Sequence, residues 1–365
     1  MNTSRWLRSS LAFAIIIGFA HIPLLAWGQT TWEKTLTAAK KEGRVAVAGP
    51  PVAGHREALM KFQQAFPDIR LEFTGMDLGT LDTRLGRERE VGQYLWDVVV
   101  SGLGPTIFVK QIPAGWFDPL KPAVMLPEVL DDSKWLGGFD GGFLDKGKKF
   151  GYGFALYVTA TIYVNYETIP ESQIQKVEDI LDPRWKGKIA WYDPLIPGPG
   201  SFLFAHLRKL LGDGALKRLI IDQETVITKD NRQLAEWLIR GRYPIVFGAA
   251  RTEIATFQRE GLGAKVKRLH LPIEPVTPGW GGLMLLNRAP QPNAARVFIN
   301  WLLGREAQRS WAEMGAVNSR RLDIPPGDSE TVVDPKKLGK YNNLSNEENA
   351  IFRTESIGFA KSLIK

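Results

Sequence analysis

Short apolar strand patterns alternate with amphipathic helix patterns along most of this chain, and this alternation limits the possible folds more than any other feature. The runs RVAVAG (44–49), DVVVS (97–101) and YPIVFG (243–248) each have the length and the β-branched content of a buried strand. Helical patterns lie between such runs, for example at 55–66, 176–181 and 230–241, and a helix pair broken at Gly304 is predicted over 292–315. The alternation predicts an α/β fold in which mainly parallel sheets are flanked by helices.

The chain has 365 residues, which is enough for two domains. The segment 150–169 is long, aromatic and β-branched, and it has no helical period. We interpret it as extended chain that crosses between two lobes and acts as a hinge. The predicted organisation is a first lobe over 29–160, a second lobe over 161–274, and a return to the first lobe with a C-terminal tail over 275–365.

The first 28 residues have the three-part pattern of a secretory signal peptide. Two arginines give a positively charged start, an apolar run follows over 11–26, and cleavage is expected between Gly28 and Gln29. A retained membrane anchor is the alternative. Pro23 and the short apolar run disfavour it, because a spanning helix needs about 20 apolar residues. We therefore expect an exported protein.

The composition narrows the classes of site and partner. The chain has no cysteine, which excludes disulfides and thiolate metal sites. Its formal net charge is +8, but it has no block of five or more basic residues, so we predict no nucleic-acid partner. The positive net charge has two interpretations at this point. It is consistent with a basic cleft that attracts a small anion and with an ordinary solvated surface. No Gly-x-Ser-x-Gly or His-Glu-x-x-His motif is present, and we predict a non-enzyme rather than an exported hydrolase.

Three phrases of the sequence resemble the periplasmic solute-binding proteins of ABC importers: VEDILDPRWKGKIAWYDP (177–194), GRYPIVFG (241–248) and PNAARVFINWLLGREAQ (292–308). The closest branch is the iron(III)-type, or extracellular solute-binding protein family 1, and the resemblance extends from Trp32 to about Arg321. It implies a two-lobe, type II periplasmic-binding-protein fold in a monomeric periplasmic protein. It also implies a ligand held between the lobes and delivered to an inner-membrane permease. A ligand-sensing partner of a membrane receptor is the alternative.

In the iron-binding members of this family, the metal is held by two adjacent tyrosines of the second lobe and by a His and a carboxylate of the first. This chain has no Tyr-Tyr pair, and at the expected place it reads Ala249-Ala250-Arg251. An arginine there repels a cation and attracts an anion. We therefore expect a small anionic ligand, such as a carboxylate, a phosphonate or a sugar phosphate, with no metal and no other cofactor. Ferric-ion binding is the alternative.

Ligands of open α/β sheets bind beyond the carboxyl ends of the strands, and this rule selects the candidate residues. Gly200 and Ser201 open a helix whose unpaired N–H groups favour an anion, although Ser201 as a simple N-cap is the alternative. Arg251 is expected to clamp a carboxylate or phosphate, with an ordinary surface arginine as the alternative. The other expected ligand contacts, each with capping, packing or solvent exposure as its alternative, are His55, Arg56, Ser101, Thr106, Tyr157, Thr159 and Trp280.

Overall fold

The structure is a computed structural model that describes residues 24–159, 161–196 and 198–364. The predicted signal peptide over 1–28 lies outside these ranges except for residues 24–28, which belong to the first helix. None of the helices in the described ranges is both long enough and apolar enough to cross a membrane.

The described part of the chain contains twelve α-helices and fourteen strands, together with short 3-10 and π-helical segments. The helices are α1 (Leu24–Glu42), α2 (Ala53–Met60), α3 (Phe62–Ala65), α4 (Leu78–Glu90), α5 (Pro127–Leu130), α6 (Pro199–Leu211), α7 (Asp213–Lys217), α8 (Asn231–Ile239), α9 (Arg251–Arg259), α10 (Pro292–Leu303), α11 (Arg305–Gly315) and α12 (Ala350–Leu363). The strands are β1 (Arg44–Gly49), β2 (Arg70–Gly75), β3 (Val98–Ser101), β4 (Phe117–Asp118), β5 (Tyr152–Gly153), β6 (Tyr157–Val158), β7 (Ile162–Asn165), β8 (Ile189–Tyr192), β9 (Val226–Thr228), β10 (Ile245–Phe247), β11 (Val266–Leu269), β12 (Glu274–Thr277), β13 (Gly282–Leu286) and β14 (Tyr341–Asn343).

The sheet of the first lobe has the strand order β2-β1-β3-β13-β4, with β5 also paired to β13. Strand β1 is parallel to β2 and β3, and β13 is antiparallel to β3, β4 and β5. Strand β13 is therefore the one that runs against the others, as expected for a strand that returns from the second lobe. One face of the sheet packs on a core around Phe62, Trp135, Phe298 and Trp311.

The sheet of the second lobe has the order β11-β7-β10-β8-β9. Strands β8, β9 and β10 are mutually parallel, and β7 runs antiparallel to β10 and β11. The rings of Trp191 and Phe247 stack at 4.5 Å in its core. The prediction of a two-lobe α/β fold with mainly parallel sheets is confirmed, because in each sheet a single strand, β13 or β7, runs against the rest.

A small third sheet joins the two lobes, with the order β14-β12-β6. Strand β6 leads from the first lobe to the second and β12 leads back, and the two pair antiparallel. We call residues 154–159 and 274–281 the crossing segments. The extended segment predicted at 150–169 contains β5 of the first sheet, β6 of the joining sheet and β7 of the second sheet.

The C-terminal helix contacts both lobes. Ala360 of α12 belongs to the core of the second lobe, where the helix packs on α6. Ala350, at the other end of α12, lies in a first-lobe cluster with Phe108. The sequence predicts only a return to the first lobe and a tail over 275–365, whereas α12 contributes to the cores of both lobes. Its docking depends on long-range packing that a short amphipathic pattern does not reveal.

Two local predictions differ from the structure. The helix predicted over 55–66 is interrupted at Lys61, which separates α2 from α3. The helix predicted from 176 to 181 is a 3-10 segment over Val177–Leu181. The helix pair predicted over 292–315 is present as α10 and α11, and Gly304 separates the two helices.

Candidate functional site

The carboxyl ends of β8, β9 and β10 bring three loops together at one edge of the second sheet, and we call these loops the second-lobe rim. The backbone N–H of Asp193 donates to the carbonyl of Thr228 at 2.8 Å, which joins the first two loops. The backbone N–H of Ala250 donates to the side-chain oxygen of Asn231 at 3.0 Å, which joins the second and third loops. The rim is thus one continuous surface held by the chain's own hydrogen bonds.

Helix α6 begins at the rim, and close backbone contacts fix its start. A Cβ on Gly248, which has a φ of 72°, would come within 2.9 Å of the Cα of Gly200. A Cβ on Gly200 would overlap with the carbonyl oxygen of Tyr192. Both positions therefore need glycine, and the residues of the loop at 193–201 and of the loop after β10 lie in direct contact.

Ser201 lies at the rim but has another role than the one expected. The N-cap of α6 is Gly198, with a φ of 150°, and no side chain of the described residues caps this helix end. Ser201 is the third residue of the helix and is 6% exposed, and its hydroxyl donates to the carbonyl of Gly198 at 3.1 Å. The hydroxyl is thus used within the loop, and neither the N-cap role nor a free hydroxyl for a ligand matches its position. The start of α6 still presents the positive end of the helix dipole.

Arg251, the first residue of α9, holds two carboxylates of the chain itself. Its Nη2 atom lies 2.7 Å from Oε1 of Glu330, and its Nε atom lies 3.6 Å from Oδ2 of Asp328. The Nε atom is buried and has no hydrogen-bond partner among the described residues. The arginine side chain is 28% exposed, so its guanidinium is still reachable from solvent.

The two acidic partners of Arg251 belong to a segment that is anchored on the first lobe. Asn318, which follows α11, donates from its side chain to the carbonyl of Asp328 at 2.8 Å and accepts from the N–H of Asp328 at 3.1 Å. The carbonyl of Asn318 accepts from the N–H of Leu156 in the first crossing segment. The contact between Arg251 and Glu330 therefore links the two lobes. No local sequence pattern indicates this contact beyond two acids in a Pro/Gly-rich stretch.

The first-lobe histidine is in the core rather than at a surface. His55 is 6% exposed, and its ring centroid lies 4.3 Å from that of Trp311. Burial lowers the pKa of His55 to about 4, which keeps the ring neutral at physiological pH. The sequence predicts His55 as a ligand contact at a solvated helix start. Its buried position beside Trp311 does not fit this prediction. Its neighbour Arg56 is exposed above the ring of Phe73, at 5.9 Å, and lines a first-lobe cavity of about 890 Å³.

The two residues selected after β3 differ in exposure. Ser101 is 1% exposed, pairs with Gly282 of β13, and donates its hydroxyl to the carbonyl of Gly102 at 3.0 Å. This burial removes Ser101 from reach of a ligand. Thr106 is exposed at the start of the turn over Ile107–Gln111, and its side chain makes no capping hydrogen bond there. Thr106 is therefore the member of this pair that a ligand can reach.

The crossing segments hold the remaining three candidates. The hydroxyl of Tyr157 lies against the backbone of Gly279, where a Cβ would overlap with it, and burial raises the pKa of Tyr157 to about 12. The N–H of Thr159 donates to the carbonyl of Pro275 at 2.9 Å. Trp280 is partly buried and packs against the first-lobe core. Packing against the other crossing segment thus accounts for the position of Tyr157, and packing against the first-lobe core accounts for that of Trp280.

The structure brings Gly200, Ser201 and Arg251 together at the second-lobe rim, while the other candidates lie on the crossing segments or the first lobe. Arg251 also lines an open cavity of about 700 Å³, which runs along the edge of the second sheet past Tyr163 and Arg268. Within the described ranges, no three His, Asp or Glu side chains are grouped so that they could hold a metal ion. The chemistry that this arrangement offers is recognition of a carboxylate or phosphate by a guanidinium.

Residues 57–336 match the family model described as bacterial extracellular solute-binding protein. The chain belongs to this family. The resemblance derived from the sequence is confirmed at this level, and the family is one of binding proteins that act outside the cytoplasm. No protein with a curated description matches the chain.

Several solved structures share the fold at low sequence identity. Iron-bound HitA from Pseudomonas aeruginosa has a TM-score of 0.65 and 16% identity, and the match covers 88% of this chain and 99% of that one. A Trichodesmium protein (IdiA, FutA) in complex with iron and citrate has a TM-score of 0.65, 17% identity and the same coverage. The substrate-binding protein of an ABC transporter from Agrobacterium tumefaciens has a TM-score of 0.65 and 14% identity, with 89% and 96% coverage. These likenesses confirm the two-lobe fold.

Proposed function

We propose that this protein is the solute-binding component of an ABC importer. It captures a small anionic solute, a carboxylate, a phosphonate or a sugar phosphate, between its two lobes and delivers it to a permease in the inner membrane. Membership of the solute-binding family and the shared fold with an ABC-transporter protein support the transport role. A signal peptide over the first 28 residues and a monomeric periplasmic protein are part of the same proposal.

The anion assignment depends on one observation, the pairing of Arg251 with carboxylates from the other side of the cleft. A guanidinium that binds Glu330 has the geometry to bind the carboxylate or phosphate of a solute in its place. The start of α6, through Gly200 and Ser201, adds a helix dipole of the favourable sign. Exposed Arg56 and Thr106 of the first lobe, with Thr159 of the crossing segments, are the further contacts that we propose for the closed cleft.

Ferric-ion binding is the second candidate, because two of the similar structures contain iron. One of them contains citrate as well. A ferric citrate complex would offer its carboxylates to Arg251, whereas a bare ferric ion would be repelled by that side chain. Arg251 therefore favours the binding of ferric citrate and disfavours the binding of a bare ferric ion.

A thermal-shift screen of the purified protein tests the proposal. The panel contains citrate, phosphonoacetate, glucose 6-phosphate, ferric citrate and ferric chloride. A ligand at 100 times its Kd stabilises the native state by about 2.7 kcal/mol, which raises Tm by several degrees. We expect an iron-free anion to give such a shift, and Arg251→Ala to abolish it. Arg240→Ala, at a 74% exposed arginine elsewhere on the second lobe, is the matched control.

Stabilisation by ferric chloride alone, unchanged in Arg251→Ala, would refute the anion assignment. The sensing alternative is tested separately by gene neighbourhood. Adjacent permease and ATPase genes support the importer, and an adjacent histidine-kinase gene supports a sensor.

A further inference from the structure

Arg320 is a buried cation with no carboxylate partner among the residues that the structure describes. It is 5% exposed, and its Nη2 atom donates to the backbone carbonyl of Leu136 and, at 3.5 Å, to that of Gly138. Its Nη1 atom is buried without a hydrogen-bond partner in the described part of the chain. No Asp or Glu of that part lies within 4.0 Å of the guanidinium. Burial accordingly lowers the pKa of Arg320 from its usual range.

Arg321, the next residue, is a buried arginine whose charge is compensated by partners within the chain. Arg321 is 3% exposed, and its guanidinium pairs with Glu128 and with Asp323, each at 2.9 Å. Its third contact is a hydrogen bond to the carbonyl of Leu303 at 3.0 Å. A buried charge is expensive unless an opposite charge and hydrogen bonds compensate it. Arg321 has both kinds of partner, and Arg320 lacks the first.

Arg320 lines a cavity of about 170 Å³ beside the crossing segments. Gly141 and Gly142, which also line the cavity, lie directly against the guanidinium, and a Cβ on Gly142 would overlap with Nη1. The other walls are mostly apolar and include Leu136, Leu144, Leu156, Pro278 and Leu338. The cavity thus combines one unpaired cation with a surface of aliphatic side chains.

We propose that this cavity is a second ligand site, which binds a short-chain monocarboxylate. The carboxylate pairs with the guanidinium of Arg320, which lines the cavity, and supplies the missing negative charge, while the alkyl chain packs on the leucines. The volume suits a ligand of about four to six non-hydrogen atoms, on the scale of about 30 Å³ for one water. A sulfate or phosphate would leave charge against apolar walls, and a chloride would leave those walls without a partner.

The site is separate from the proposed cleft. Arg251 is not among its walls, whereas Leu156 and Pro278 come from the two crossing segments. A bound monocarboxylate would therefore contact the segments that join the lobes. Its outer wall includes Leu338, which is 44% exposed and lies in the C-terminal segment.

Calorimetric titration and thermal shift with sodium propionate test the site, with sodium chloride at equal ionic strength as the reference. We expect saturable binding of propionate and a rise in Tm that chloride does not reproduce. Arg320→Met keeps the aliphatic stem and removes the charge, and it should weaken propionate at least about tenfold. Without propionate its Tm should equal or exceed that of the wild type, because the uncompensated buried charge is gone.

Three further variants keep the test decisive. Arg309→Met, at a 47% exposed arginine of α11, should retain propionate binding, and so should Arg251→Ala in the cleft. Leu338→Ala changes an exposed wall residue and should fold; it should weaken propionate about threefold and leave formate unchanged, since formate has no alkyl chain. Equal shifts with propionate and chloride would overturn the proposal, as would propionate binding that survives Arg320→Met or disappears in Arg251→Ala.

Discussion

Glu330 competes with the solute for Arg251 if the proposed cleft is correct, so its removal should increase affinity. The substitution Glu330→Gln keeps the size of the side chain and replaces a carboxylate by an amide, which binds a guanidinium more weakly. The contact that it weakens is the 2.7 Å pair between Oε1 of Glu330 and Nη2 of Arg251. The solute would then displace a neutral group instead of an anion.

The size of the effect follows from the exposure of the pair. The side chain of Arg251 is 28% exposed and that of Glu330 is 60% exposed, so the pair is only partly shielded from solvent. Ion pairs of this kind contribute about 0.2–1 kcal/mol. Affinity for the solute should therefore rise by up to about fivefold, since about 1.4 kcal/mol corresponds to a factor of ten. The gain should shrink at high ionic strength, where exposed charges are screened.

Isothermal titration calorimetry with the tightest-binding anion of the screening panel measures this change. Glu306→Gln is the matched control. Glu306 is 65% exposed and pairs with Arg305 and Arg309 near the start of α11. This substitution should leave the affinity unchanged. An affinity that is unchanged or lower in Glu330→Gln would refute the reasoning, because the carboxylate would then not compete for Arg251.

Two further predictions concern stability. His206 accepts from the side chain of Asn342 at 3.3 Å and lies 2.8 Å from the carbonyl of Ile273, and burial lowers its pKa to about 4. Between pH 6.5 and 4 the unfolded state therefore binds a proton that the native state does not bind. The contribution of His206 to stability should fall by up to about 1.4 kcal/mol per pH unit as the pH is lowered through this range, in addition to that of His55. Urea unfolding should show a shallower pH dependence in His206→Gln; identical slopes would contradict this origin. Gly200→Ala should reduce the free energy of unfolding by about 1–3 kcal/mol through its clash with the preceding strand. Gly214→Ala, which enters open space in α7, should raise it by about 0.5–1 kcal/mol, and equal effects of the two would count against the close approach at the rim.

The fold could be predicted because its signals are local. Strands such as β1 and β10 are short apolar runs between turn residues, and the helix pair α10 and α11 has a clear apolar face with a glycine between the helices. These patterns need only the period of the secondary structure. The docking of α12 across both lobes was missed, because it depends on which distant surfaces remain uncovered.

The site could be predicted only in part, for the same reason. Arg251 lies at a loop beyond a strand end, which a general rule for α/β sheets selects. Its pairing with Glu330 joins residues that are far apart in the chain, and no local pattern indicates such a contact. His55 looked solvated because it opens a helix, but Trp311 covers it from another helix. Ser201 is predicted as a ligand contact, with a helix cap as the alternative, but Gly198 is the N-cap and the Ser201 hydroxyl donates to its carbonyl.

The affinity of Arg251→Gln for the tightest-binding anion of the panel tests the central claim most directly. A charge-assisted hydrogen bond contributes about 1.5–3 kcal/mol, so calorimetry should find at least about a tenfold loss of affinity while the control Arg240→Gln binds like the wild type. Unchanged affinity in Arg251→Gln would contradict the account, because an anionic solute held between the lobes would then not be bound by this guanidinium.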